Sequence, residues 1–218
     1  MPSQSLLLAL LADARLPTGA HTQSAGLEPA LRAGLPPADV PGYIAARLRT
    51  VTIVEAATAV VARRVAVAGG DLDVVEAAWA ARTPSAALRA SSRQLGRGYL
   101  RLLRRLWPDQ EPIPRSWRPA RPVAAGMLAA RAGLDAEHTA RLVGYDDAQT
   151  IAAATLKLEP VDPAIATGWV LAAQPLIEQL VTAVAGLTEP QQIPACAAPL
   201  VEQWAENHAH TTERLFSA

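Results

Sequence analysis

Several residues in this 218-residue chain have the types and spacing for chemistry. In "LPTGAHTQSAGLEPAL" (16–31), His21 and Ser24 lie three residues apart, close enough to suggest a base and a nucleophile. Ser is equally a preferred helix cap, and an apolar helical run follows it, so capping is the favoured reading. In "YDDAQT", Asp146 and Asp147 resemble the aspartate pairs by which helical isoprenoid enzymes hold magnesium. Such sites need further carboxylates one turn on, and Thr150 stands there instead, so a solvated helix face is expected. Four histidines (His21, His138, His208, His210) and Cys196 are candidate ligands for nickel, copper or zinc. His208 and His210 point about 200° apart on a regular helix, so they cannot share one ion, and no closed metal site is expected. Arg93, Arg97, Arg101, Arg104 and Arg105 form a basic face at helical spacing, read as solvated or facing a partner because no aromatic platform accompanies it. Neither "GxxxxGK[ST]" nor "GxGxxG" after a strand occurs, so no phosphate cradle is expected.

The elements that must position these residues read as helices throughout. Half of the chain is hydrophobic, chiefly Ala, Leu and Val with a single Phe, and small side chains favour closely packed helices. No convincing strand alternation, fixed repeat or low-complexity tract is present. The expectation is one all-α domain over 1–218, a bundle of about eight to ten helices. Twenty basic and twenty acidic residues cancel, which argues against nucleic acid or an anionic membrane as partner. One cysteine excludes an internal disulfide and fits a cytoplasmic location. The N-terminal apolar run lacks a basic leader and a small-residue cleavage site, and no stretch offers ~18 uninterrupted apolar residues, so neither a signal peptide nor a membrane span is expected.

Along the chain, a helix over 5–14 is broken by Pro17 and Gly19, and Ser24 caps a short second helix with Glu28 near its positive end, the regular turns beginning at about Pro29 and stopping at Gly34. Residues 38–68 read as one long, largely buried helix despite "VTIV". Asp71 or Asp73 caps a helix through Arg82, and Pro84 opens the arginine-bearing helix. Residues 107–122 hold so many prolines that only a loop can run through them. Asp135 caps a further helix, and Pro175 predicts a kink in the next. The tail from Pro199 reads as a last amphipathic helix with Leu200, Trp204, His208, Thr211 and Leu215 on one face. His208 then packs at a helix interface, while Leu215 and Phe216 either dock back on the core or anchor another protein.

Four segments, in order across nearly the whole chain, resemble those of the urease accessory protein UreF family. The opening stretch is similar to "LPxGGFxxSxGLE" through Leu16, Pro17, Gly19, Ser24, Gly26, Leu27 and Glu28, with Ala20 for the second Gly and His21 for the aromatic. "RQLGRGYLRLL" resembles the central helix through Arg93, Gly96, Arg97 and Leu100, and "RPVAAGMLAARAGLD" the "PVAFGLxAxxxGL" segment through Pro122, Val123, Ala124, Gly126, Ala129, Gly133 and Leu134. The tail is similar to "HExxxxRLFxS" through His208, Arg214, Leu215 and Phe216, with Ala209 at the usual acidic position and Ser217 one place early. "VGYDDAQT" stands where the family has a Tyr/Ser/Phe-containing segment, and such departures mark a divergent branch.

The resemblance implies an all-α, commonly dimeric protein that is not an enzyme and carries no cofactor. It would bind UreD (also called UreH) and through it recruit the GTPase UreG, which delivers nickel to apo-urease. On that reading Gly19, His21, Ser24 and Glu28, with His208, Arg214, Leu215 and Phe216, contact UreD, and Arg93 and Arg97 serve UreG or the dimer. The alternatives are a helical metal-dependent enzyme using Asp146 and Asp147, and a helical nucleic-acid-binding regulator.

Overall fold

The computed structural model describes residues 3–109, 113–212 and 214–216. Ser217, and residues 110–112 of the proline-rich segment, lie outside them. Among the described residues there are ten α-helices and no strand, the all-α architecture expected. Short 3₁₀ turns at Ala20–Thr22, Pro37–Asp39 and Pro190–Gln192 punctuate the connections.

The helix at the centre is α4 (Val51–Val67), buried along most of its first three turns from Thr52 to Ala62. Its alanines let neighbours approach closely. Its most extensive packing is against α7 (Arg121–Ala132), then α8 (Ala136–Leu158). At the α4–α7 crossing a Cβ on Gly126 would stand 2.4 Å from the Ala59 carbonyl oxygen, so only glycine permits the approach. α8 in turn packs on α9 (Pro163–Val184). One hydrophobic core surrounds α4 and includes Leu27, Ile44, Trp79, Ile151 and Phe216. A second lies where α1 (Gln4–Leu11) and α6 (Ala86–Leu106) meet α7, around Leu11, Leu100, Leu103 and Leu128.

Local chemistry starts two helices as expected. Asp71 accepts from the Asp73 amide at the head of α5 (Leu72–Ala80), and Asp135 from His138 N at the head of α8. α6 opens at Ala86 and not at Pro84, with Ser85 as its cap, accepting from Leu88 N at 3.1 Å. Glu206, on α10 (Pro199–Ala209), reinforces that end by accepting from Ser85 Oγ at 2.6 Å and Ala87 N at 3.0 Å. The proline-rich connection gives way to α7 at Arg121, two residues earlier than expected, because Pro122 fits a first turn.

Two expectations fail for identifiable reasons. The single helix over 38–68 is two, α3 (Val40–Arg49) and α4, broken at Thr50 (φ −124°, ψ −90°). The break lets Arg47 and Thr52, on different helices, both reach Asp147. α9 carries Pro175 inside its span, and both this proline and Leu171, whose carbonyl the proline leaves without its usual helix donor, are exposed. The terminal helix stops at Ala209, and its buried positions are Val201, Ala205 and His208, whereas Leu200 and Leu215 are exposed. α9 is the one helix among the described residues long and apolar enough to cross a membrane; only a third of that stretch is buried.

Candidate functional site

α1 ends at Leu11, earlier than the expected residue 14 and well before Pro17, and the connection turns at Gly19, which takes the left-handed conformation (φ 92°) that costs other residues energy. The chain then lies flush on α6: a Cβ on Gly98 would stand 2.0 Å from the Thr18 carbonyl oxygen. Ala25 (φ 51°) and Gly26 (φ 78°) are both left-handed, and Tyr43 Oη donates to the Ala25 carbonyl at 2.9 Å, fixing this corner. α2 (Leu27–Arg32) follows, starting two residues before Pro29. Ser24 is wholly buried, with its hydroxyl accepting from Glu28 N at 3.2 Å. Ser24 thus serves a first-turn amide, but the cap position is Gly26 and not Ser24 as expected.

Glu28, 1% exposed, joins the junction to the other end of the chain. Its Oε1 accepts from Leu215 N at 2.9 Å and its Oε2 from Phe216 N at 2.8 Å, contacts spanning 187 and 188 residues of sequence. Arg32 bonds Oε1 at 2.9 Å from the solvent side. Buried His208 donates through Nε2 to the Phe216 carbonyl at 3.2 Å, with Glu28 Oε2 3.7 Å away. Lys157 completes the clasp: its ammonium sits 5.3 Å above the Phe216 ring and donates to the His21 carbonyl at 3.3 Å. Phe216 is 3% exposed and Leu215 60%. The tail therefore docks through one residue and presents the other, with Arg214 and His21 also on the surface.

Asp146 and Asp147 do not form a solvated face. Asp147, 2% exposed, accepts from Arg47 Nη2 at 2.6 Å and Nε at 3.0 Å, and from Thr52 Oγ1 at 2.7 Å. Burial alone would raise its carboxyl pKa; attraction and hydrogen bonding from Arg47, with help from Arg121 and Thr52, hold it below the usual carboxylate value. Asp146 pairs with Arg121 at 2.9 Å, and Arg121 also bonds Glu55. Burial raises Asp146, against the pull of Arg121 and with the neighbouring Asp147 and Glu55 carboxylates adding to the rise. Guanidinium groups occupy the positions where a magnesium site would need its ion, and among the described residues no three His, Cys, Asp or Glu side chains are grouped to hold a metal. These ion pairs line a cavity of about 80 Å³ together with Tyr99 and Gln23.

The arginine face divides. Arg93 bonds Glu76 (Nη2 at 3.0 Å), lies 5.8 Å from the centre of the Trp79 ring and belongs to the packing of α5 on α6. Glu76 also accepts from Ala120 N at 2.8 Å, so this pair positions the start of α7. Arg97, Arg101 and Arg104 instead line an open groove of about 570 Å³, with Arg115 and Arg118 on its other side and His21 at its rim. His138 pairs with its own cap, Asp135, while His210 is exposed and Cys196 half-buried, so the candidate metal ligands are scattered.

Sequence reasoning brought Ser24, Glu28, His208 and Phe216 forward, but as separate segments. It missed Lys157 and Arg47, which no local pattern marks.

Fold and site together define an all-α protein in which the motif residues clasp a helix junction to the carboxy-terminal tail. Comparison with known proteins narrows the class. The UreF family model matches residues 36–174. The urease accessory protein UreF of Mycolicibacterium vanbaalenii is 34% identical over 220 residues, covering 100% of both chains. Those of Mycobacterium bovis (strain BCG / Pasteur 1173P2) and Mycobacterium marinum are 37% identical over 219 residues and 35% over 224, covering 97–99% of each chain. The chain belongs to the UreF family of urease accessory proteins.

Proposed function

We propose that this protein is a non-enzymatic adaptor in urease maturation. It binds UreD and through it recruits the GTPase UreG, so that nickel is inserted into apo-urease in the cytoplasm. The observation that carries this reading is the clasp between Glu28 and the amides of Leu215 and Phe216, which holds two distant family-like segments as one surface. Gly19, His21, Arg214 and Leu215 supply contacts to UreD; Ser24, Glu28, His208 and Phe216 lie inside and set the shape of that surface. Arg97 faces outward and serves a second partner, whereas Arg93 positions α6. A homodimer is part of the proposal, supported by apolar side chains left exposed on α1 (Leu6, Leu10) and α9 (Ile165, Leu171).

The test is co-purification with UreD and UreG followed by urease activation. The intact chain is expected to form the complex and support nickel loading, and removal of residues 215–218 to abolish both. Full loading by the truncated chain would sink the tail assignment. Failure of the intact chain to bind UreD would sink the function.

A further inference from the structure

We infer that the groove between α6 and residues 113–118 binds a carboxylate-rich segment of a partner protein. The chain has no formal net charge, yet five arginines converge here: Arg97, Arg101 and Arg104 from one face of α6, Arg115 and Arg118 from the opposite wall. No Asp or Glu among the described residues lines the groove. Several arginines elsewhere are paired with carboxylates: Arg47 with Asp147, Arg93 with Glu76, Arg121 with Glu55 and Asp146, and Arg141 with Glu178. Among the described residues, Arg104 and Arg118 bond backbone carbonyls of residues 113–117, bonds that leave their charge uncompensated. Like charges at i,i+4 on a helix repel. An anion in the groove relieves that repulsion, and planar guanidinium groups match carboxylates in paired hydrogen bonds.

The dimensions select the kind of anion. Arg97 to Arg104 is two turns, about 10 Å of helix, which is the length of about three extended peptide residues at ~3.3 Å each. Nucleic acid draws affinity from the number of phosphates neutralised along its length and from bases stacked on aromatic rings. This patch is short, and its one aromatic, Trp117, is half-buried with its indole N–H donating to Asp73 at 3.0 Å. The floor is rigid because Gly98 lets the Thr18 backbone lie directly on α6, so the arginines are held on a fixed surface.

A fluorescein-labelled hexaglutamate peptide titrated into the full chain, followed by fluorescence anisotropy, tests this. Saturable binding is expected, weakening steeply between 50 and 300 mM salt. The R97Q/R101Q variant should weaken it at least tenfold while keeping the wild-type circular dichroism and melting curve. R105Q removes an exposed arginine from the same helix outside the groove and should leave affinity within twofold. Absence of binding would overturn the inference, as would equal losses in R105Q and R97Q/R101Q. Tighter binding of a six-nucleotide oligothymidine than of hexaglutamate would assign the groove to nucleic acid instead. The inference goes beyond the urease reading: a chain that binds hexaglutamate but not UreD would fail only the latter.

Discussion

Substituting Glu28 by Gln tests the clasp with almost no change in volume. The carboxylate accepts from two tail amides, at 2.9 and 2.8 Å, in a site closed to water. Each hydrogen bond to a charged group is worth ~1.5–3 kcal/mol, and a neutral amide can accept only one of the two, at ~1 kcal/mol, while its NH₂ opposes the other donor. The tail therefore loses about 2–5 kcal/mol of local stability, a factor of roughly 30 to 5,000 in its opening equilibrium. Native-state hydrogen exchange reads this directly. The Leu215 and Phe216 amides should lose that much protection in E28Q, with the α4 core amides far less affected. Lys157 also rests on Phe216 and on the His21 carbonyl, so opening should reach the 20–22 turn too. Protection at Phe216 within threefold of wild type would refute the claim that Glu28 holds the tail.

Asp147→Asn leaves the Arg47 guanidinium buried without its counter-charge, and should destabilise the fold by about 3–5 kcal/mol, read as a fall of the melting temperature of roughly 6–20 °C. Since the Asp147 carboxyl is held below its ordinary value, its contribution is complete above pH ~4 and lost as the pH falls through the native value. Acid titration of the melting temperature should therefore be shallower in D147N than in wild type. Gly126→Ala should lower stability despite a helix-propensity gain of ~1 kcal/mol, since the new methyl meets the Ala59 carbonyl and Ala62 Cβ (2.7 Å) of α4. Gly168→Ala, in α9 with nothing within 4 Å, should raise it; shifts of the denaturation midpoint in urea, down for the first variant and up for the second, check both.

The amino-acid sequence by itself determined the helical class and some of the helix starts. Those depend on neighbours within a turn: Asp71 and Asp135 each cap a helix, whatever lies elsewhere. It also marked the junction and the tail, because their motifs are local strings. What it could not determine was which distant groups meet. Asp147 reads as a surface carboxylate until tertiary packing brings Arg47, 100 residues away, against it. The same partner explains why a run of helix-compatible residues breaks at Thr50, since a continuous helix would not turn both Arg47 and Thr52 toward one carboxylate. At the tail, continued helix and docking compete at similar local cost. The Glu28 carboxylate decides between them by offering buried acceptors to two amides that a helix would direct elsewhere. Local propensity acts over a few residues, whereas the choice among alternatives of nearly equal local energy falls to desolvated charges, and only the folded chain places those.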